Sequence, residues 1–403
     1  MNKKRVLFLA STFPRWQGDD VPDFVYRLSQ IMAQRYEVHV IAPWYPGAKV
    51  SETMEAVQVH RFRYSPSRFN LAYGGGVASN LKTNPLKALL IPFFVLSQLM
   101  LALRLLKSRD FYLIHAHWVI PQALVAWLAC VFMGWDSKER TICTCHGTDV
   151  LGFNTGFLKR IKTSLFQKMG AITVVSEGLK RVVKEAIGEA DSIGVIPMGT
   201  DFSATFYPRD DVPRSPEDSV FAGRMVEQKG VLLLLKCFIA IADKYPTAKL
   251  HMVGDGPLLP KAKALVDSAG LNDRVIFYGF CSATDLAEIY NRCAFAVFPA
   301  LRMEGFGLTT VEAMGCECIV LASSFASSRE LIVEGESGFL VPAGDMAALT
   351  EKWTQLLKGD RSIGAVAKRA RINVSNRFGW ENSQRKFENL YLEMEKRQGA
   401  NVS

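Results

Sequence analysis

Hydrophobic and polar residues follow two periods along this chain. Short runs of apolar or β-branched residues predict strands, and longer stretches with apolar residues three or four apart predict helices. The predicted strands of the first half are Arg5–Ala10, Glu37–Ala42, Val57–Arg63, Tyr112–Ala116, Arg140–Cys145, Ala171–Val175 and Ile193–Pro197. The predicted helices between them are Asp23–Arg35, Pro121–Met133, Phe157–Lys168 and Glu177–Ile187. Alternating strands and helices are typical of an α/β fold with a mostly parallel sheet.

The alternation stops between residues 198 and 219, where Pro, Asp and Ser predict a linker. It then resumes with a helix at Val231–Lys244 and with strands at Ser219–Ala222, Lys249–Val253, Val275–Gly279, Ala294–Pro299, Cys318–Ala322 and Phe339–Pro342. We therefore predict two α/β domains, residues 1–200 and 215–378. A charged amphipathic helix at Trp380–Lys396 is expected to pack back on the first domain, to which residues 380–403 are assigned. Two such domains facing each other would form a cleft, a usual place for a ligand.

Composition and charge narrow the class of protein. The chain has 403 residues, 49% hydrophobic and 22% charged, which is typical of a globular protein and not of a disordered one. Residues 1–200 contain 24 Lys and Arg against 14 Asp and Glu, a charge of +10, so the excess behind the net charge of +9 lies wholly in this half. A basic half favours nucleic acid, anionic lipid or a phosphorylated substrate as partner. No nucleic-acid recognition motif accompanies the charge, so we expect no nucleic-acid partner.

We expect a cytoplasmic protein, because the sequence shows no targeting signal and its cysteine pattern favours reduced thiols. The apolar run Val6–Ala10 is too short for a signal peptide. The longest apolar segment, between Lys87 and Arg104, is interrupted by Pro92, Ser97 and Gln98, so we expect no membrane span. The eight cysteines form no Cys-x-x-Cys pair, which favours reduced thiols over a zinc site.

The segment Pro85–Lys107 allows two interpretations. It is apolar and is flanked by Lys87, Arg104 and Lys107. It could lie on anionic lipid as an interfacial helix, peripheral on the inner face of the cell membrane. It could equally be a helix half-buried in the first domain.

The most informative motif runs from Phe298 to Gly315, a strand end followed by a glycine-rich loop and a helix that begins near Gly307. Backbone N–H groups around Leu308 and Thr309, together with the helix dipole, favour a bound anion such as phosphate. Glu304 and Glu312 could flank a diphosphate, one accepting hydrogen bonds from a sugar and the other from a ribose. The simpler alternative is two surface glutamates around a turn.

Two further motifs follow strand ends. In Phe221–Gly230, Arg224 offers a planar fork of donors and Lys229 a point charge, so the pair could neutralise a diphosphate without a metal. Two solvated surface cations are the alternative. Gly254-Asp255-Gly256-Pro257 is a tight turn that could shape a nucleotide base pocket.

Together these motifs resemble the retaining glycosyltransferases of family 4, which have the GT-B fold of two Rossmann-like domains. The resemblance rests on Gly223-Arg224 with Lys229-Gly230, on Gly254–Pro257, and on Glu304 and Glu312 eight residues apart. It extends to Thr144–Asp149, which resembles the active-site histidine segment of the family through His146.

The loop after the first strand departs from the family. Many members carry a Gly-Gly pair there, whereas this chain has Gly18 followed by Asp19. Gly18 could hold the first glycine position at the donor. Asp19 stands where those members have the second glycine, so the geometry of the acceptor site at this loop is in question.

The resemblance implies transfer of a sugar from a nucleoside-diphosphate donor with retention at the anomeric carbon. Arg224, Lys229 and backbone N–H groups from Phe306 to Thr309 would hold the diphosphate. Glu304 would contact the donor sugar, Glu312 the ribose, and His146 the reacting side of the sugar. The resemblance suggests front-face attack without a covalent intermediate.

No Asp-x-Asp pair follows a strand, so we expect activity without a metal or other cofactor. The expected acceptor is a glycan or a lipid-linked molecule of cell-surface polysaccharide or glycolipid synthesis. The alternatives are a nucleotide-sugar epimerase, a glycoside phosphorylase and a non-catalytic nucleotide-sugar-binding protein.

Overall fold

A computed structural model of the chain describes residues 3–19, 21–66, 69–74, 77, 80–81, 84–152, 156–188, 193–359 and 363–400. The chain forms two compact units. The first comprises Met1–Pro197 together with Ser383–Ser403, and the second comprises Met198–Asn382. Both units are built from a mostly parallel sheet with helices between the strands, so the predicted α/β class is confirmed.

The first unit contains an eight-stranded sheet. Its strands are β1 (Arg5–Leu9), β2 (Glu37–Pro43), β3 (Ser51–Met54), β4 (Val57–Phe62), β5 (Phe111–His117), β6 (Thr141–Cys145), β7 (Ala171–Val174) and β8 (Ile193–Val195). They are ordered β3-β4-β2-β1-β5-β6-β7-β8, and every pair is parallel except β3 with β4. The carboxyl ends of the parallel strands therefore meet at one edge of the sheet, where ligands of α/β folds bind.

Helices connect these strands. The described ones are α1 (Phe24–Met32), α2 (Ile91–Ser108), α3 (Leu124–Met133), α4 (Ser137–Arg140), α5 (Thr148–Leu151), α6 (Gly156–Lys168) and α7 (Glu177–Ile187). A 3₁₀ turn at Pro85–Leu90 precedes α2, and a π turn at Val119–Ala123 precedes α3.

The second unit has a six-stranded parallel sheet. Its strands are β9 (Ser215–Ala222), β10 (Leu250–Val253), β11 (Val275–Gly279), β12 (Cys293–Phe298), β13 (Ile319–Ser323) and β14 (Phe339–Val341), ordered β11-β10-β9-β12-β13-β14. Its helices are α8 (Val231–Ala242), α9 (Leu259–Ser268), α10 (Ala283–Arg292), α11 (Leu308–Gly315), α12 (Ala326–Leu331), α13 (Met346–Leu357) and α14 (Ile363–Phe378). Because β9 and β12 are central neighbours, the loops that follow them lie side by side.

The last helix, α15 (Trp380–Ala400), returns to the first unit as predicted. Phe387, Tyr391 and Met394 are fully buried. The Tyr391 hydroxyl lies 2.7 Å from His115 Nδ1, and Ser383 Oγ donates a hydrogen bond of 2.8 Å to the carbonyl oxygen of Pro197. These contacts attach the C-terminal helix to the sheet of the first unit.

Pro92, Ser97 and Gln98 interrupt the apolar run but not the helix that this segment forms. The backbone stays helical from Pro85 to Ser108, because Pro92 lies in the first turn of α2, where its missing N–H costs no hydrogen bond. Among the described residues, this is the one helix long and apolar enough to cross a membrane by length and composition, with a mean hydropathy of 2.1 over its most apolar window. Gln98 is fully buried and its amide donates to the carbonyl oxygen of Ala10, so one face of the helix packs on the sheet.

Candidate active site

The predicted site residues fall in both units. His146 and Gly18 belong to the first unit. Arg224, Lys229, Glu304, Glu312 and the glycine-rich loops belong to the second.

An ion pair connects two loops of the second unit. Lys229 Nζ lies 2.7 Å from Glu304 Oε1, and the two side chains are 20% and 26% exposed. Lys229 ends the 3₁₀ turn after β9, and Glu304 lies in the loop after β12. Gly230 makes this approach possible, because it has a φ of +70° and a Cβ there would overlap the carbonyl oxygen of Pro299.

A pocket opens beside this ion pair. Its polar wall includes Lys229, Glu304, Thr309 and Ser323, and its apolar wall is formed by Phe221, Phe298, Ala300, Phe306, Ala322, Phe325 and Leu331. Ser323, at the end of β13, is 3% exposed, and its hydroxyl has no hydrogen-bond partner among the described residues. A buried hydroxyl of this kind favours a polar ligand group in the pocket.

The amino terminus of α11 adjoins the pocket. Gly307 is the N-cap residue, with a φ of +98°, and no side chain caps this helix. The first N–H groups of a helix have no intrahelical acceptor, so those of Leu308 and Thr309 suit an anion. Phe306 turns away from solvent onto the ring of Phe378, with ring centres 5.2 Å apart.

Arg224 is exposed on the loop after β9, and the loop after β10 packs against that same loop. A Cβ on Gly254 would overlap the carbonyl oxygen of Gly223, and one on Gly256 would lie 2.6 Å from that of Met225. The Met225 N–H donates to the carbonyl oxygen of Asp255 at 2.8 Å. The two glycines thus have a packing role, because they let this loop support the backbone that carries Arg224.

Glu312 lies in the second turn of α11 and is half-buried. Burial, and then the nearby charge of Glu312, raise the pKa of the Tyr290 hydroxyl. Among the residues predicted for the donor, Lys229, Glu304, Phe306, Gly307 and Thr309 line the pocket. Arg224, Asp255, Leu308 and Glu312 lie outside its lining.

In the first unit, a buried carboxylate organises the loop that carries His146. Asp149 Oδ1 accepts hydrogen bonds from the N–H groups of His146 (3.1 Å) and Gly147 (3.0 Å), and Oδ2 accepts from Val119 N–H at 3.1 Å. Gly147 has a φ of +122°, a conformation that favours glycine. The His146 backbone is therefore fixed at the carboxyl end of β6.

The imidazole of His146 contacts three rings. Phe24 and Trp118 each lie with ring centres 4.8 Å away, and His117 Nδ1 lies 3.1 Å from His146 Nε2. Burial lowers the pKa of His146 to about 3, so the ring is neutral at physiological pH. It can donate a hydrogen bond without carrying a charge.

Gly18 lies on an exposed turn with a φ of +79°, and an added Cβ would meet no atom within 4 Å. The neighbouring Asp19 has a function that the sequence left open. Its carboxylate accepts a hydrogen bond of 2.6 Å from the Arg15 N–H and pairs with the Arg15 guanidinium. Asp19 therefore holds the loop closed where many family members carry a second glycine.

Asp149 belongs to the histidine segment noted in the sequence but had no predicted role, and Ser323 was not predicted as a site residue. Both could have been found from the sequence, because a polar residue soon after a predicted strand lies where ligands of α/β folds bind. Asp149 follows the predicted strand Arg140–Cys145, and Ser323 follows the predicted strand Cys318–Ala322. The contact between His117 and His146 had no such signal. Among the described residues, no group of three or more His, Cys, Asp or Glu side chains could hold a metal ion.

The fold and this pocket define a class, and comparisons with known proteins agree on it. Residues 22–204 match the model of Glycosyltransferase Family 4, and residues 208–374 match that of Glycosyl transferases group 1. The two models together match most of the chain. The chain is a GT-B glycosyltransferase, and it belongs to the family 4, group 1 glycosyltransferases.

Relatives of known activity make sugar-containing molecules. The chain is 25% identical over 339 residues to the N-acetyl-alpha-D-glucosaminyl L-malate synthase of Bacillus anthracis, covering 82% of this chain and 87% of the relative. It is 28% identical over 380 residues to the phosphatidyl-myo-inositol mannosyltransferase of Mycobacterium leprae, with 89% of both chains covered.

Solved structures share the fold. Sucrose-phosphate synthase from Thermosynechococcus elongatus superimposes with a TM-score of 0.78 at 20% identity, covering 100% of both chains. HepE of Anabaena, solved in complex with UDP and glucose, superimposes with a TM-score of 0.71 at 17% identity, covering 97% of this chain and all of that one.

Proposed function

We propose that this glycosyltransferase moves a sugar from a nucleoside-diphosphate sugar to a glycan or lipid-linked acceptor, with retention at the anomeric carbon. The Lys229–Glu304 pair carries the proposal, since it places a cation and a hydrogen-bond acceptor in one pocket beside an uncapped helix terminus. That combination suits a sugar attached to a diphosphate, with the second unit as the donor-binding domain and the first as the acceptor-binding domain.

Each residue has a defined task in this mechanism. Arg224, Lys229 and the N–H groups of Leu308 and Thr309 stabilise the diphosphate as negative charge develops on it. Glu304 accepts hydrogen bonds from hydroxyls of the donor sugar, and Glu312 accepts them from the ribose. His146, kept neutral by burial, donates a hydrogen bond on the reacting side of the sugar.

The proposed bond changes balance without a protein nucleophile. The acceptor oxygen forms a bond to the anomeric carbon as the bond from that carbon to the phosphate oxygen breaks. The proton of the acceptor hydroxyl passes to the departing phosphate oxygen, and both events occur on the same face. Positioning and charge stabilisation then supply the catalysis, so we propose that no metal is required.

The names of the relatives support the substrate classes. A mannosyltransferase of phosphatidyl-myo-inositol acts on a lipid, and HepE was solved with UDP and glucose. We therefore propose that this chain uses a nucleoside-diphosphate donor and an acceptor of cell-surface polysaccharide or glycolipid synthesis.

The enzyme test uses Glu304→Gln, which keeps the size of the side chain and removes its charge. We expect transfer to fall at least 100-fold with an unchanged fold, because the residue contacts the reacting sugar. Glu336→Gln is the matched control, since Glu336 is exposed in the same unit. Proton NMR of the product should show the anomeric configuration of the donor. Full activity of Glu304→Gln, or an inverted product, would contradict the mechanism.

The same reaction mixtures separate the alternative functions. An epimerase would convert the nucleotide sugar without an acceptor, and a phosphorylase would need inorganic phosphate. A binding protein would hold the donor without turnover.

An apolar surface of the first unit favours a membrane as a further partner. Leu86, Leu89, Phe93, Leu96 and Met100 follow one another three or four residues apart and are 53% to 75% exposed. We call these five residues the exposed stripe. Arg104 and Lys107 are exposed at the end of the same helix, as contact with anionic lipid requires. We propose that the protein is cytoplasmic and binds the inner face of the cell membrane through the exposed stripe.

Co-sedimentation with vesicles tests this partner. The protein should bind phosphatidylglycerol vesicles more tightly than phosphatidylcholine vesicles, and a triple change of Phe93, Leu96 and Met100 to Ser should abolish binding. Ile372→Ser, at a residue 59% exposed in the second unit, is the control. Binding that survives the triple change would exclude the exposed stripe as the membrane contact.

A further inference from the structure

Three histidines lie side by side at the carboxyl ends of β5 and β6. His115 and His117 alternate on β5, with ring centres 4.4 Å apart, and His146 follows β6 with its ring centre 5.3 Å from that of His117. His115 and His117 are fully buried. The register of the two strands pairs His117 with Thr144, two residues before His146, and so brings the rings together.

Each of these rings has a different set of partners. His115 Nε2 lies 2.6 Å from Thr144 Oγ1, and His115 Nδ1 lies 2.7 Å from the Tyr391 hydroxyl. His117 Nδ1 lies 3.1 Å from His146 Nε2. His117 Nε2 is buried and has no hydrogen-bond partner among the described residues.

The His117–His146 contact needs one proton between its two nitrogens. Burial lowers the pKa of both rings, so both are neutral and each carries a single N–H. If His146 Nε2 were the donor, the single N–H of His117 would be at Nε2, buried and without an acceptor. If His117 Nδ1 is the donor, its Nε2 carries no proton and is only a buried acceptor without a donor. In proteins, buried N–H groups without an acceptor are rarer than buried acceptors without a donor, so the second arrangement is favoured.

We propose that His117 is a positioning residue that donates its Nδ1–H to His146 Nε2 and thereby fixes His146 as the Nδ1–H tautomer. Nδ1 is then the nitrogen from which His146 can donate a hydrogen bond. This use of the Nδ1–H rests on the function proposed above for His146, whereas the tautomer itself follows from the contacts of the two rings.

Packing alone would not select a tautomer. Phe24 and Trp118 restrain the plane of the His146 ring, and Asp149 holds its backbone. These contacts are the same whichever nitrogen is protonated. Among the contacts that the described residues make with this ring, the bond to His117 is the one that distinguishes Nδ1 from Nε2.

Histidine-selective ¹⁵N NMR tests the tautomer on the full-length protein. The chain has six histidines, so a His146→Gln spectrum identifies the signals of His146 by their loss. We expect the wild-type spectrum to show His146 protonated at Nδ1 and unprotonated at Nε2. An Nε2–H tautomer of His146 would overturn the proposal. The tautomer is read from the wild-type protein, so this result does not depend on whether the His117 variants fold.

Three variants test the effect on the reaction. His117→Leu removes the donor, and His117→Asn replaces Nδ1–H with an amide N–H. His115→Asn alters the neighbouring ring, which does not bond to His146, and is the control. We expect His117→Leu to lower kcat roughly 10- to 100-fold at an unchanged donor KM, with substantial recovery in His117→Asn.

Equal kcat values for folded His117→Leu and wild type would overturn the positioning role. The NMR spectrum does not depend on turnover. A wild-type protein without transferase activity would therefore contradict the proposed function, while the tautomer would still be decided by the spectrum.

Discussion

Replacing Lys229 with methionine removes the cation from the pocket and keeps most of the side chain's length. In the unliganded protein Lys229 Nζ lies 2.7 Å from Glu304 Oε1, with both side chains partly accessible to solvent. Such a pair contributes about 1 kcal/mol or less to folding, because water screens the charges and their desolvation opposes the attraction. We therefore expect the free energy of unfolding of Lys229→Met to change by no more than about 1 kcal/mol.

Donor binding should respond more strongly than stability does. A hydrogen bond from a charged group to a phosphate oxygen contributes roughly 1.5–3 kcal/mol. Lys229 is already paired with Glu304 before the donor arrives, so part of that gain replaces an existing interaction and the lower end of the range applies. A loss of about 1.5–2 kcal/mol weakens binding about 13- to 30-fold.

Isothermal titration calorimetry with the nucleoside diphosphate that the wild type binds measures this effect. Lys236→Met is the matched control, because Lys236 is an exposed lysine on α8, outside the lining of the pocket. It should leave both affinity and stability unchanged. A folded Lys229→Met protein with a Kd within threefold of the wild-type value would refute the assignment of the diphosphate to this pocket.

Acid should destabilise the first unit, because burial lowers the pKa of His115 and of His146 to about 3 while unfolded histidines take up protons near pH 6.5. The free energy of unfolding from urea titrations should fall by about 1.4 kcal/mol per pH unit for each ring between about pH 6.5 and 4, and a flat profile would contradict this. Gly254→Ala should lower Tm and donor affinity, since its Cβ would overlap the Gly223 carbonyl. Gly270→Ala, also at positive φ but in open space, tests the backbone effect alone. Transfer should persist in excess EDTA, and a strict metal requirement would exclude the proposed mechanism.

Elements with a local signal were predictable from the sequence. The helix Glu177–Ile187 has the predicted bounds, because Ser176 Oγ accepts a hydrogen bond from the Leu179 N–H at its start and Gly188 ends it. Strand Val275–Gly279 likewise has the predicted bounds. By contrast, β3 was missed, since its residues Ser51–Met54 include only one buried apolar side chain and depend on antiparallel pairing with β4.

The residue types of the candidate site could be predicted from the sequence, but the contacts between those residues could not. The motifs identified Lys229 and Glu304 separately, and only the adjacency of β9 and β12 brings their charged atoms together. In the same way, the contact between His117 and His146 depends on the register of β5 against β6. The use of Asp19 as a partner for Arg15 depends on a loop conformation for which no periodic pattern exists.

The second unit is proposed to bind a nucleoside-diphosphate sugar. Calorimetric titration of the purified protein with UDP-, GDP-, ADP- and TDP-sugars tests it most directly. We expect one nucleotide class to bind, and an Arg224→Ala/Lys229→Ala double variant to lose at least tenfold in affinity, a change of about 1.4 kcal/mol. A folded protein that binds none of the four classes, or a double variant that binds as tightly as the wild type, would contradict the account.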